Sequence, residues 1–134
     1  MLTRKTLSLA DAKIIATAAS AKAVAEGWTV VIAIFDITGH LLYLERADGT
    51  QLGSVLVAQE KGRTALLFKR PTKLMEDGVL GGKIHMLSMP ATQVEGGLPL
   101  FKDGDLVGSI GVSGVISFQD GLVAAAGQDA LTAL

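Results

Sequence analysis

From Thr29 to Phe35 the chain reads Thr-Val-Val-Ile-Ala-Ile-Phe, an unbroken apolar run after one threonine. A run this short and this rich in β-branched residues suits a strand, and its lack of polar alternation means that both faces are buried. Asp36-Ile37-Thr38-Gly39 follows as a turn in which Gly39 can supply a positive φ. His40 to Arg46 then returns as a second strand, so the two form a hairpin. A second hairpin is marked by Asp103-Gly104 between Leu98–Lys102 and Asp105–Val112.

Helices are expected around these strands. Ser8-Leu9-Ala10-Asp11 is a capping signal, a hydroxyl followed three residues later by a carboxylate, for a helix over 8–26 that stops at Gly27. Its predicted buried stripe is Ile14, Ala18, Ala21 and Ala25, small enough to sit very close to whatever it covers. A second helix over 52–68 carries Val55, Ala58, Gly62 and Ala65 on one stripe and is ended by Pro71. From Thr72 to Val94 the pattern is irregular, with a short helix near Lys73–Asp77 and then Gly78, Gly81, Gly82 and Pro90. Such a stretch is usually functional or mobile. Ser117 is expected to cap a last helix over 118–131, with Leu122, Ala126 and Ala130 facing inward. Two hairpins without βαβ alternation predict an α+β fold, a mainly antiparallel sheet flanked by helices, in a single domain over 1–134.

Composition narrows the function. Hydrophobic residues make up 49% and charged residues 19%, which excludes a disordered tail. A formal net charge of −1 leaves no electrostatic footprint for nucleic acid or an anionic membrane surface. There is no cysteine, hence no disulfide, thiolate metal site or thiol nucleophile. No apolar run approaches the ~20 residues of a membrane span, and no apolar h-region follows Arg4–Lys5, so the expected compartment is cytoplasmic. Alanine-rich helices and so large an apolar share in a short chain predict a homo-oligomer.

Few residues can carry chemistry. Gly96-Gly97 opens one strand, and Gly108, Gly111 and Gly114 recur in the strand paired with it. Glycine inside a strand marks close approach of either another backbone or a ligand, and both readings stay open here. On the second helix Lys61 and Thr64 share one side, whereas Arg63 lies well round the other. One cation is expected to line a pocket or hold an anion while the other faces solvent or a subunit contact. The expected ligand site is walled by Lys61, Thr64, Gly96, Gly97 and Ser113, with Arg63 as the other candidate for an anionic group. Its mobile edge is the loop carrying His85, which lies among Met75, Met86 and Met89 and could ligate haem iron or carry a proton. His40, at a hairpin mouth, is the other such candidate and is expected to be exposed. No histidine pair has metal-ligand spacing, so no protein metal centre is expected. A Ser113–His85–Asp120 triad can be drawn, but no nucleophile-elbow motif supports it.

Arg46-Ala47-Asp48-Gly49, the run Lys61–Ala65 with Lys69-Arg70-Pro71-Thr72, Gly96-Gly97-Leu98-Pro99, Gly108–Gly114 and Gln119-Asp120 occur in an order that resembles the GlcG/HbpS-like (DUF336) family. That family includes the C-terminal domain of PduO-type cobalamin adenosyltransferases. The resemblance implies a sheet flanked by helices, symmetric homo-oligomers, and haem binding or haem-linked redox sensing in some members. It departs at Gly62, where the family usually has alanine after the lysine, leaving extra room beside that stripe. Two functions follow. One is a small-ligand-binding protein for haem or a related planar, anionic molecule, with Lys61 or Arg63 pairing a propionate and His85 on the iron. The other is a metal-independent tautomerase, isomerase or lyase acting on an oxo-acid. There Lys61 or Arg63 binds the carboxylate, N–H groups near Gly96-Gly97 stabilise an enolate, and His85 or Glu60 moves the proton.

Overall fold

The computed structural model describes all residues from Met1 to Leu134. In chain order it contains α1 (Leu9–Glu26), β1 (Val31–Asp36), β2 (Leu41–Arg46), α2 (Ser54–Phe68) and α3 (Thr72–Leu80). A 3-10 turn at Ile84–Ser88, β3 (Gly97–Lys102), β4 (Asp105–Ser113) and α4 (Ser117–Leu131) complete it. The strands form one antiparallel sheet in the order β2-β1-β4-β3, the α+β arrangement that the hairpin signals predict. Gly39 turns the first hairpin at φ 85°, and Asp103 and Gly104 turn the second at 52° and 83°. Two successive left-handed residues match the twist of the strands they join.

β1 is buried on both faces, as its unbroken apolar run requires. Ile32 and Ile34 enter a large apolar core with Ala12, Ile15, Ile110 and Val123, under α1 and α4. Val31, Ala33 and Phe35 enter a smaller one with Ala58 and Leu66 of α2, on the other face. The first layer is held by oil, and the second is small and partly polar.

Both terminal helices are rotated from their expected faces. α1 starts as predicted, with the Ser8 hydroxyl accepting from the Asp11 N–H at 3.1 Å and Asp11 accepting from the Ser8 N–H at 2.9 Å. It buries Ala12, Ile15, Ala16, Ala19 and Ala23, while Ile14, Ala21 and Ala25 face out. α4 buries Val123, Ala124, Gly127 and Leu131, so the stripe Leu122, Ala126 and Ala130 is likewise one position off. Gly127 explains the choice. A β-carbon there would sit 2.7 Å from Ile110 and 3.2 Å from Ile15, so this glycine brings α4 down onto both isoleucines. Ser117 does not cap α4, because Ile116 holds the cap position without a side-chain bond. The stretch expected to be irregular is mostly helical, as α3 and the 3-10 turn.

α2 lies directly on the glycine-rich strands. A β-carbon on Gly111 would fall 2.0 Å from the Ala58 carbonyl oxygen and 2.5 Å from the Gly62 nitrogen. On Gly97 it would fall 2.3 Å from the Lys61 carbonyl oxygen. These two glycines therefore serve backbone-to-backbone packing, and the space expected for a ligand between α2 and the strands is filled by α2 itself. Gly108 does not meet α2: a β-carbon there would fall 2.3 Å from the Phe35 carbonyl oxygen and 2.7 Å from Leu7, because side chains alternate along a strand and a spacing of three changes face. The room expected beside Gly62 is also taken, since a β-carbon there would meet the Phe35 ring at 3.1 Å.

Candidate functional site

The polar layer beneath α2 centres on Lys61. Its side chain is 2% exposed, and its ammonium donates to Asp120 Oδ2 at 3.0 Å and to the Val112 carbonyl at 3.1 Å. The other Asp120 oxygen accepts from the Val115 N–H at 3.1 Å. This links α2, the end of β4 and the start of α4. Around it, Ser113 donates to Ser54 at 3.2 Å, and Ser109 donates to the Gly62 carbonyl at 2.7 Å. The Gly97 N–H donates to the Thr72 hydroxyl at 2.9 Å.

These contacts redistribute the expected roles. Lys61, Gly96, Gly97 and Ser113 do converge, with Gly96 in the left-handed half of φ space at 134° against the lysine stem. They converge on one another and leave no open wall. Thr64 donates to the Glu60 carbonyl and accepts from the Thr92 N–H at 2.9 Å, so it fastens the segment before β3 to α2. Glu60 also reaches the Thr92 hydroxyl at 3.4 Å. Arg63 is exposed on the far side of α2, as the helical wheel predicts. His40 is exposed and lies 3.1 Å from the Thr38 hydroxyl in the hairpin. His85 is exposed on the 3-10 turn. The Ser113–His85–Asp120 triad does not form, because Ser113 bonds Ser54 and Asp120 bonds Lys61. The clefts of about 390, 370 and 170 Å³ lie towards the other end of β4, and none of the expected site residues lines them.

Asp120 and Glu95 are the perturbed acids of this region. Burial pushes the Asp120 carboxyl above its ordinary value of 3.8, opposed by the Lys61 charge and by the Val115 and Gly114 N–H groups. Burial also raises Glu95 above 4.5, opposed by Lys73 and reinforced by Glu76 and Asp77. An acid raised in the folded state takes up its proton more readily there, so stability is gained as pH falls through the raised value and levels off near the ordinary one. Urea unfolding at neutral pH and at about pH 4 is expected to show the natural chain gaining on Asp120→Asn as pH falls. A difference that shrinks over that window would contradict the assignment.

The family model for haem-degrading HbpS-like proteins matches residues 7–129. The chain belongs to the HbpS-like family. Among curated relatives, protein GlcG of Escherichia coli K12 is 40% identical over 114 residues, covering 84% of this chain and 85% of GlcG. The crystal structure of Klebsiella pneumoniae ORFY superposes with a TM-score of 0.93 at 28% identity, covering 100% of this chain and 96% of ORFY. The PduOC–haem complex superposes at 0.84 with 30% identity, covering 95% and 96%. The fold of this HbpS-like chain is thus shared over essentially its whole length. Sequence reasoning missed the pairing of Lys61 with Asp120, although a lysine flanking the buried stripe of Ala58, Gly62 and Ala65 was a signal that a buried acid must meet it.

Proposed function

We propose that this chain binds haem or a related planar, anionic tetrapyrrole on the arm formed by α3 and the 3-10 turn. The observation that carries the reading is the exposed His85 imidazole set among apolar side chains that have nothing to cover them. Leu80, Ile84 and Leu87 are 79%, 71% and 64% exposed. An imidazole supplies the axial ligand a haem iron takes, and a flat apolar surface beside it receives a porphyrin face. The haem complex of the PduOC relative supports the choice of ligand. Arg63, free of any carboxylate, is a cation open to a propionate, whereas Lys61 is committed to Asp120. Bound haem would supply an iron centre for redox chemistry or sensing, and the protein's part is to hold and cover it.

None of the three clefts described above encloses His85, and the cover comes from a second copy. The outward face of α2 and the turn before it fit that role, with Leu56 and Leu67 on the helix and Leu52 in the turn all exposed. Light scattering at micromolar concentration is expected to give at least a dimer, and a monomeric mass would refute this assembly.

Titration with haemin is expected to develop a Soret band that saturates. His85→Ala should remove most of the binding. Arg63→Ala should weaken it by about tenfold to a hundredfold, the size of a lost charge-assisted bond of ~1.5–3 kcal/mol. Absence of a saturable Soret change in the natural chain would reject haem. Equal, negligible effects from both variants would reject this site.

A further inference from the structure

The largest of the three clefts, about 390 Å³, opens at the end of the sheet away from Lys61. Its walls include Arg4 and Lys5 from the N-terminal strap, Lys69 at the end of α2, Phe101 of β3, and Gly104 with Asp105 from the second hairpin. The strap is held in place, with the Leu7 N–H donating to the Val107 carbonyl at 3.1 Å and Thr6 accepting from the Ile37 N–H at 3.0 Å. Lys5 stands 3.8 Å from Asp105. Neither the Arg4 guanidinium nor the Lys69 ammonium makes an ion pair. Three cations thus face one carboxylate in a chain whose formal net charge is −1.

Lys69 adds an independent observation. It ends α2 at φ 55°, with its N–H directed to the Ala65 and Leu66 carbonyls. Glycine occupies that left-handed position without strain, and a lysine there is held against a conformational preference. Strained non-glycine residues concentrate where their side chain has work that the fold alone does not need. Lys69 and Arg4 line this cleft and also a smaller one at Gly39.

We propose that this cleft binds a compact, multiply charged oxyanion, a phosphate compound or a polycarboxylate. Arg4 offers a planar fork for two oxygens, Lys69 a second charge, and Phe101, about half exposed, an apolar wall for the carbon part of the ligand. The site is separate from the His85 arm and stands or falls without haem.

Calorimetric titration of the natural chain with pyrophosphate and with citrate tests it. Saturable binding is expected for at least one, weakened tenfold or more by Arg4→Ala and by Lys69→Gly, and unchanged by Lys13→Ala on the exposed side of α1. The stronger probe identifies the oxyanion class. Lys69→Gly should at the same time raise the melting temperature by a few degrees, because it relieves the left-handed residue. A loss of binding in a more stable protein cannot come from damaged folding. Failure of both probes to saturate would overturn the proposal. So would binding indifferent to both substitutions, or variants that change the oligomeric mass while binding persists.

Discussion

Lys61→Ala is expected to lower the melting temperature by about 10–20 °C. Removing one partner of a buried ion pair costs about 3–5 kcal/mol, because the other charge stays buried without compensation. For a domain of this size each kcal/mol moves the midpoint by roughly 4 °C. The partner left behind is Asp120, 2% exposed and then supported only by backbone N–H groups. Lys61→Met with Asp120→Leu should recover most of the loss, since apolar replacements of similar volume remove both desolvation costs together. Thermal unfolding of the two single variants and the double one gives the coupling directly. A Lys61→Ala midpoint within a few degrees of the natural one would mean that Asp120 finds water or a proton instead, and that the pair does not hold α2 to α4.

Gly111→Ala is expected to be more damaging than any other glycine substitution under α2. The added carbon would stand 2.0 Å from the Ala58 carbonyl oxygen, and since that atom is backbone the whole helix must lift. Overpacking commonly costs about 1–3 kcal/mol where side chains can adjust. Here none can, so the loss should exceed that range and leave little folded protein. Gly78→Ala in α3 is the control. Its new carbon meets only flexible side chains, the Met86 sulfur at 3.4 Å and Lys83 Cδ at 3.8 Å, and replacing a helical glycine should add about 0.5–1 kcal/mol. Denaturant unfolding of both would decide. A well-folded Gly111→Ala protein would show that α2 does not rest on the strand backbone.

The contrast between these glycines also shows how much of the fold is legible in the sequence. Turn chemistry is local, so Asp36–Gly39 and Asp103-Gly104 announced both hairpins and with them the antiparallel sheet. The capping box at Ser8 is local too. The faces of α1 and α4 were not legible. Alanine fits either side of a helix, so the phase rested on adjacent pairs, Ile14 or Ile15 and Leu122 or Val123, and choosing the wrong member turns the helix by about 100°. What settles the phase is Gly127 against Ile15 and Ile110, a contact between three distant segments. The candidate site divides in the same way. The opposed directions of Lys61 and Arg63 follow from helical geometry alone. That Lys61 would be spent on Asp120, 59 residues away, depends on how α4 returns to the sheet edge.

The strand order β2-β1-β4-β3 has one more consequence, for the way the chain assembles. Each hairpin closes over a short loop, but the central pair joins β1 to β4, from opposite halves of the chain. Until that seam zips, each half exposes a strand edge whose natural partner lies in the other half. α1 and α4, which pack on each other, are likewise split between the two. Neither half is a folding unit by itself. The loop-closure entropy of the seam, more than the hairpins or the helices, therefore governs how fast the native state is reached.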